Sequence, residues 1–319
     1  MPLGDTRLLA DRASVKEYSL QIEKTAACRC LTFEPLSKHT SWRVGGPAAL
    51  YVYPNDADSV GVLLRFLREE GIPSFVIGYG TNLLPADEGF GGCVIDLGNA
   101  CRKLEMTDDE MIAGAGIWLH DAVKAASESG LQGMEKLAGI PGGVGGGLSM
   151  NCGAFGSAIS DHLRVVTVLD EVGERAVLPK PEVNFQYRSA PGLVNKILLE
   201  ARFKMSKEPP AEVVAEMEAT IRERFRRNVM TLPSAGSVFK NPTGFFAAKL
   251  VESVGSKGMA EGGVEISRLH ANFIVNARGG TAGDILRLIR RVRALVRERH
   301  GLNLELEVRT LGFEDDPNA

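Results

Sequence analysis

The sequence predicts a mixed fold of helices and strands, in two or three domains, organised around a glycine-rich anion-binding loop. Three observations carry this expectation. The chain has 319 residues, enough for more than one domain and a sizeable core. Segments with helical spacing of apolar residues alternate with short strand-like runs along its length. Residues 139–156, GIPGGVGGGLSMNCGAFG, place eight glycines in eighteen positions. At that density backbone N–H groups can turn inward and approach a ligand, because no Cβ intervenes. Successive inward N–H groups form a concavity suited to phosphate oxygens. A flexible linker is the competing reading. Ile140, Val144, Leu148, Met150 and Phe155 oppose it, since linkers rarely carry apolar residues that need burial.

Composition narrows the function classes. Hydrophobic residues make up 44%, charged residues 24%, and the net charge is -3, which argues against a nucleic-acid binder. No apolar stretch approaches a membrane span, and the first twenty residues hold no apolar core of a secretory signal. Cys28, Cys30, Cys93, Cys101 and Cys152 are an odd, scattered set that suits reduced thiols in a cytoplasm. The Cys28-x-Cys30 pair has no second pair and the five histidines lack ligand spacing, so no metal is expected.

The elements follow in order. Residues 1–24 are expected to form an N-terminal extension. A turn at 39–47 precedes a strand at 49–53. Asn55 or Asp56 caps a helix through residue 70, with Val60, Leu63, Leu64 and Leu67 on one face and Gly71 as the stop. A buried strand at 74–77 runs into Gly78-Tyr-Gly-Thr-Asn-Leu-Leu84, the second place where backbone could cradle phosphate. Further strands are expected at 93–97 and 111–113, then a helix over 117–129. A hairpin is expected at 164–169 and 175–178, and a strand at 196–203. Lys207-Glu-Pro-Pro210 breaks the pattern at a domain boundary, and helices follow at 211–227 and 245–254. Thr281 with Asp284 forms a capping box for a helix through residue 299. Its arginines, Arg287, Arg290, Arg291 and Arg297, lie opposite a core stripe and read as a solvated face. Alternation from Leu302 to Arg309 predicts a half-buried strand.

Several phosphate-binding and nucleophile motifs are missing. There is no G-x-G-x-x-G and no Gly-Lys dipeptide, so the dinucleotide fingerprint and the P-loop both fail. Gly147-Leu-Ser-Met-Asn151 lacks the second glycine of a nucleophile elbow.

A family likeness rests on six stretches in this order: Gly78-Tyr-Gly-Thr-Asn-Leu-Leu84, 138–156 with Ala138-Gly-Ile-Pro-Gly142 and Asn151-Cys-Gly-Ala-Phe-Gly156, Phe185-Gln-Tyr-Arg188, Ser234-Ala-Gly-Ser-Val-Phe-Lys-Asn-Pro242, His270-Ala-Asn-Phe-Ile-Val-Asn276 and Glu305-Leu-Glu-Val-Arg309. Together they resemble the UDP-N-acetylenolpyruvoylglucosamine reductase family, over residues 36–312. The resemblance implies an α+β fold: an FAD-binding half of the vanillyl-alcohol-oxidase type in two subdomains, residues 25–98 and 99–206. A C-terminal α+β substrate domain over 207–302 and a returning strand and tail at 303–319 complete it. The short connection after Arg188 matches the shorter form of the family, without an extra tyrosine loop.

The resemblance also implies the chemistry. FAD would be held by Gly78, Tyr79, Gly80, Thr81, Asn82 and Leu83, and by Gly139, Ile140, Pro141, Gly142, Gly145 and Gly146. Val44, Asn151, Gly153 and Ala154 would lie nearby. NADPH would be the co-substrate and a UDP-sugar the substrate, with Lys240, Asn241 and His270 as contacts to it. A cytoplasmic monomer is expected. Reducing an enolpyruvyl ether needs a hydride at one alkene carbon and a proton at the other. Negative charge develops toward the carboxylate, so a cation is wanted there. By family position Arg188 is that cation, Ser237 the proton donor and Glu307 the group beside the substrate carboxylate. Tyr79 replaces a usual glycine and Gly143 a usual hydroxyl residue, a loss worth roughly 1.5–3 kcal/mol of phosphate contact if charge-assisted. Two alternatives stay open: a sugar or alcohol oxidase of the same flavin fold, and a non-catalytic nucleotide-sugar binding protein.

Overall fold

The computed structural model describes residues 11–227 and 232–313. It opens with α1 (Arg12–Thr25), where the Asp11 carboxylate accepts from the Ser14 backbone N–H at 3.1 Å. Val15 and Ile22 of this helix are fully buried in the core of the first half. The described part of the segment expected as an extension is therefore packed into that core. Residues 1–10 lie outside the described residues.

The first sheet contains β1 (Cys28–Pro35), β2 (Pro47–Pro54), β3 (Ser74–Ile77) and, after the short β4 (Leu83–Pro85), β5 (Phe90–Asp96). Its order is β1-β2-β5-β3, with β1 antiparallel to β2 and the other pairs parallel. Parallel strands of one sheet need a crossover, and α2 (Ala57–Glu69) supplies the one between β2 and β3, which flank β5. Asp56 caps α2, accepting from the Ser59 N–H at 2.8 Å.

A second, antiparallel sheet follows: β6 (Leu104–Met106), β7 (Glu110–Gly114), β8 (Leu163–Leu169), β9 (Arg175–Pro179) and β10 (Ile197–Lys204), in the order β9-β8-β10-β7-β6. Between β7 and β8 lie α3 (Leu119–Glu128) and the glycine stretch. That stretch is not loop throughout, because Val144–Ser149 forms the helix α4. Three glycines in one short helix cost roughly 1 kcal/mol each relative to alanine. Burial of Val144 and Leu148, one turn apart, opposes that cost. Tertiary bonds help too: the N–H groups of Val144 and Gly145 donate to Ile117 and Ala115 carbonyls at 2.9 and 3.0 Å.

The remaining chain forms α5 (Pro210–Arg227), α6 (Ala247–Ser253), the three-stranded sheet β11 (Ala260–Glu261), β12 (Val264–Ile266) and β13 (Ile274–Asn276), then α7 (Ala282–His300) and β14 (Arg309–Leu311). The Thr281–Asp284 capping box is present, and Gly301 ends α7 at φ 67°. The hydrogen-bonded strand near the C-terminus is shorter than its apolar alternation predicts. Leu304, Leu306 and Val308 are buried as expected, but only Arg309–Leu311 pairs as a strand, parallel to β4. Upstream, the chain runs along residues 238–240 instead. Glu307 N–H donates to the Val238 carbonyl at 2.8 Å and Lys240 N–H to the Glu305 carbonyl at 2.9 Å.

Three side chains lock this last unit to the loops of the first sheet. Trp42, fully buried, donates from Nε1 to the Ile274 carbonyl at 2.8 Å, and Asn276 Nδ2 donates back to the Trp42 carbonyl at 3.0 Å. The Asp87 carboxylate accepts from the Ala282 and Gly283 N–H groups at 2.9 and 2.8 Å. It thereby satisfies orphan donors at the positive end of α7. Among the described residues, no helix is long and apolar enough to cross a membrane.

Candidate active site

The two glycine-rich stretches meet. Thr81 Oγ1 donates to the Pro141 carbonyl at 3.1 Å, and a Cβ on Gly142, at φ 130°, would stand 3.0 Å from that hydroxyl oxygen. The glycines divide into two kinds. Gly78 and Gly146 have no atom within 4 Å of where a Cβ would stand, so their backbone is open to an approaching group. At Gly80 a Cβ would lie 1.9 Å from the His39 carbonyl oxygen, at Gly145 2.8 Å from the Ala115 Cβ, and at Gly153 2.6 Å from the Ser157 carbonyl oxygen. These three are glycine because the protein itself fills the space. Gly139 faces the Arg224 side chain. Val44 is buried in the C-terminal core, with its N–H and carbonyl both turned to the Thr40 hydroxyl. Ile140 packs against the first-half core, Leu83 is buried in β4, and Ala154 lies opposite Ser157 in a small hairpin.

Tyr79 and Gly143, two departures at separate places in the sequence, touch each other. A Cβ on Gly143 would stand 3.1 Å from Tyr79 Cε2. The tyrosine ring lies edge-on to Trp118 at 4.3 Å, and its hydroxyl donates to the Gly116 carbonyl at 2.9 Å. A hydroxyl residue at 143 would crowd this ring, so the two changes belong to one packing arrangement.

Arg188 sits in a tight turn in which Gln186 N–H donates to the Ser189 carbonyl at 2.9 Å. Its φ is 55°, a conformation that side chains other than glycine rarely adopt. Its Nε donates to Glu307 Oε1 at 2.7 Å and its Nη2 to the Gly153 carbonyl at 3.3 Å. The family-implied cation and carboxylate, 119 positions apart, are thus in contact beside the central glycine stretch. Burial raises the Glu307 carboxyl above its ordinary value, and Arg188 and then Lys240 oppose that rise. Asn82 ties the first glycine loop to the same point: its Nδ2 donates to the Glu307 carbonyl at 3.0 Å, and Arg309 N–H donates to its carbonyl at 3.0 Å.

Ser237 is half-buried and bridges Phe273 through its backbone. Its neighbour Val238 accepts the Glu307 N–H, so the serine segment lies directly against the carboxylate segment. Among the described residues the Ser237 hydroxyl has no hydrogen-bond partner. Lys240 pairs with Glu305 at 3.3 Å, and its charge also acts on Glu307. Asn241 is committed structurally: its Oδ1 accepts the Ala247 N–H at 2.9 Å at the start of α6, and its N–H donates to the Tyr187 hydroxyl at 3.3 Å. His270 packs edge-on against Phe273 at 4.6 Å, and burial lowers its pKa. Its charged neighbours are Lys257 and Glu252, not Arg188 or Glu307.

Sequence reading missed Arg224. It reads as one more charge on a helix, yet it is buried, donating from Nε to the Ala138 carbonyl at 2.9 Å and from Nη2 to the Lys136 carbonyl at 3.2 Å. Only the tertiary fold brings α5 onto the start of the glycine stretch. Cys152 is also beside the site, but burial pushes its thiol up to about 12, so it is no nucleophile at neutral pH. Among the described residues no group of three His, Cys, Asp or Glu could hold a metal.

This arrangement fits FAD. Two backbone loops meet with open glycines, and a buried acceptor, Asn151 Oδ1, has no donor among the described residues. Residues 48–178 match the family described as an FAD binding domain. Residues 228–311 match the C-terminal domain of UDP-N-acetylenolpyruvoylglucosamine reductase. A UDP-N-acetylenolpyruvoylglucosamine reductase of Pelobacter propionicus is 40% identical over 284 residues, 89% of this chain and 96% of that one. Its counterpart in Heliobacterium modesticaldum is 41% identical over 286 residues, covering 88% and 90%. The crystal structure of UDP-N-acetylenolpyruvylglucosamine reductase from Thermus caldophilus superposes with a TM-score of 0.74 at 33% identity, over 89% of this chain and 98% of that one.

Proposed function

Given that the chain belongs to the UDP-N-acetylenolpyruvoylglucosamine reductase family, we propose that Arg188, Ser237 and Glu307 are its reacting groups. The protein is an FAD-dependent oxidoreductase that reduces the enolpyruvyl ether of UDP-N-acetylglucosamine, a step of peptidoglycan synthesis. NADPH supplies the reducing equivalents. FAD, when bound, supplies hydride chemistry toward the alkene. Gly78–Leu83 and Gly139–Gly146 would hold it through backbone, with Val44, Asn151, Gly153 and Ala154 around them.

The protein's own groups handle the charge and the proton. Hydride addition leaves negative charge shared between the second alkene carbon and the substrate carboxylate. Arg188 stabilises that charge, a reading supported by the way Glu307 and the Gly153 carbonyl fix its Nε and Nη2 and leave Nη1 to be directed. Glu307 orients Arg188 and polarises the carboxylate end. Ser237 donates the proton to carbon from a hydroxyl that no described residue engages. Lys240 contacts the UDP-sugar; Asn241 shapes this contact by capping α6, and His270 acts on the sugar side. All these groups come from one chain, so a monomer suffices. The five free thiols suit a cytoplasmic setting.

The Arg188–Glu307 contact beside Gly153 carries this reading. Its test starts from the visible spectrum of the purified protein, which should be that of a flavin, and from NADPH oxidation that depends on the enolpyruvyl substrate. Arg188→Met should then lower kcat by about 10²-fold or more, with less change in KM. An unchanged kcat with a raised KM would make Arg188 a uniform binding residue.

A further inference from the structure

Asn151 is hydrogen-bonded at one end of its amide and unsatisfied at the other. Its Nδ2 donates to the Gln186 carbonyl at 3.0 Å. A carbonyl can only accept, so this bond fixes the orientation of the amide and leaves Oδ1 as an acceptor. Oδ1 is buried, and no described residue donates to it. The residue also holds a φ of 41°, in the left-handed region that asparagine tolerates better than most side chains. It follows α4 in the glycine stretch, two residues before the Gly153 carbonyl that Arg188 grips. Gln186, which it holds, opens the turn that presents Arg188. A buried acceptor without a donor costs on the order of a lost hydrogen bond. Such a group persists where a ligand supplies the donor.

We propose that Asn151 is a positioning residue that couples cofactor loading to the catalytic turn. Its Oδ1 accepts a hydrogen bond from an N–H or O–H of bound FAD, while its Nδ2 holds the 186–189 turn that aims Arg188 at Glu307. The inference rests on the assignment of FAD to the two glycine loops. Loading the cofactor clamps the amide at both ends and so tightens the turn; an unloaded protein holds the turn by one bond alone.

The test uses the full-length protein stripped of flavin and titrated with FAD. Asn151→Gly removes both amide contacts while keeping the left-handed backbone at ease. Asn151→Ala removes the same contacts with the opposite backbone bias, so a loss shared by both belongs to the amide. Both variants should bind FAD about tenfold or more weakly. Hydrogen exchange supplies the second measurement. In the wild type, FAD should protect the amides of residues 186–189, and in both variants that added protection should vanish. A purely structural role would leave the exchange response to FAD intact. Wild-type exchange at 186–189 that ignores FAD overturns the coupling even if neither variant folds. Normal FAD uptake by the wild type with affinity within twofold in both variants overturns the inference alone. A wild-type protein that takes up no flavin overturns the underlying assignment and this inference together.

Discussion

Gly80 and Gly146 stand in the two loops proposed above to hold FAD, yet glycine suits each position for a different reason. At Gly80 the φ is 60° and a Cβ would lie 1.9 Å from the His39 carbonyl oxygen, with Thr40 also within contact. At Gly146 the backbone is helical and nothing lies within 4 Å. At Gly80 the first loop is filled from behind by its own protein. It is pinned further by the Ser41 N–H on the Gly80 carbonyl at 3.1 Å and by Asn82 on the Glu307 segment. At Gly146 the second stretch keeps its face clear. Glycine richness alone does not mark a binding surface; the surface is marked by glycines that no protein atom approaches.

This contrast predicts opposite outcomes for two small substitutions. Gly80→Ala has the largest expected effect, because the obstacle is backbone and cannot rotate away, and the left-handed φ adds strain. It should cost at least about 3 kcal/mol of stability, read as a lower urea midpoint or insolubility. A variant with the wild-type midpoint would show that the two glycines do not differ in this way. Gly146→Val should melt within a few degrees of the wild type, since valine is no worse than glycine in a helix. It should nevertheless bind FAD at least about tenfold more weakly, a loss of about 1.4 kcal/mol or more. Normal affinity would place the flavin elsewhere. The smallest effect concerns pH. Burial raises Glu307 and Arg188 opposes the rise, so Arg188→Met should move Glu307 further upward. The limb of the kcat/KM profile that reports Glu307 should shift to higher pH. A limb that stays put would mean that the two groups are not coupled in solution.

Local signals were the legible part of the molecule. Asp56 caps α2, and Thr281 with Asp284 caps α7, as the side-chain types at those spacings require. The apolar stripe of α7 is buried and Arg287, Arg290, Arg291 and Arg297 are exposed. The hidden parts depend on tertiary contact. No pattern in the Val-Gly-Gly-Gly-Leu run announces α4, because its stability comes from Ile117 and Ala115 carbonyls and from buried side chains. Alternation placed Leu304, Leu306 and Val308 correctly inside, but it could not tell a sheet partner from the 238–240 segment that the chain follows. Resemblance supplied Arg188 and Glu307 as separate roles, and only the fold makes them a pair. Tyr79 with Gly143, Arg224 and the free oxygen of Asn151 likewise depend on neighbours distant in sequence.

The central claim is that Ser237, lying against the Glu307 segment with an unengaged hydroxyl, gives the proton to substrate carbon. Ser237→Ala separates that role from every role in shaping the cofactor site. A positioned general acid contributes about 10²–10⁴-fold, whereas replacing a turn serine at a surface usually changes stability by less than about 0.5 kcal/mol. Stopped-flow absorbance of the flavin-loaded variant follows both halves of the reaction in one sample. Bleaching with NADPH should proceed at the wild-type rate, and the return of absorbance on adding the enolpyruvyl substrate should be slower by at least roughly two orders of magnitude. Equal slowing of both halves, or no slowing of the second, would contradict the account.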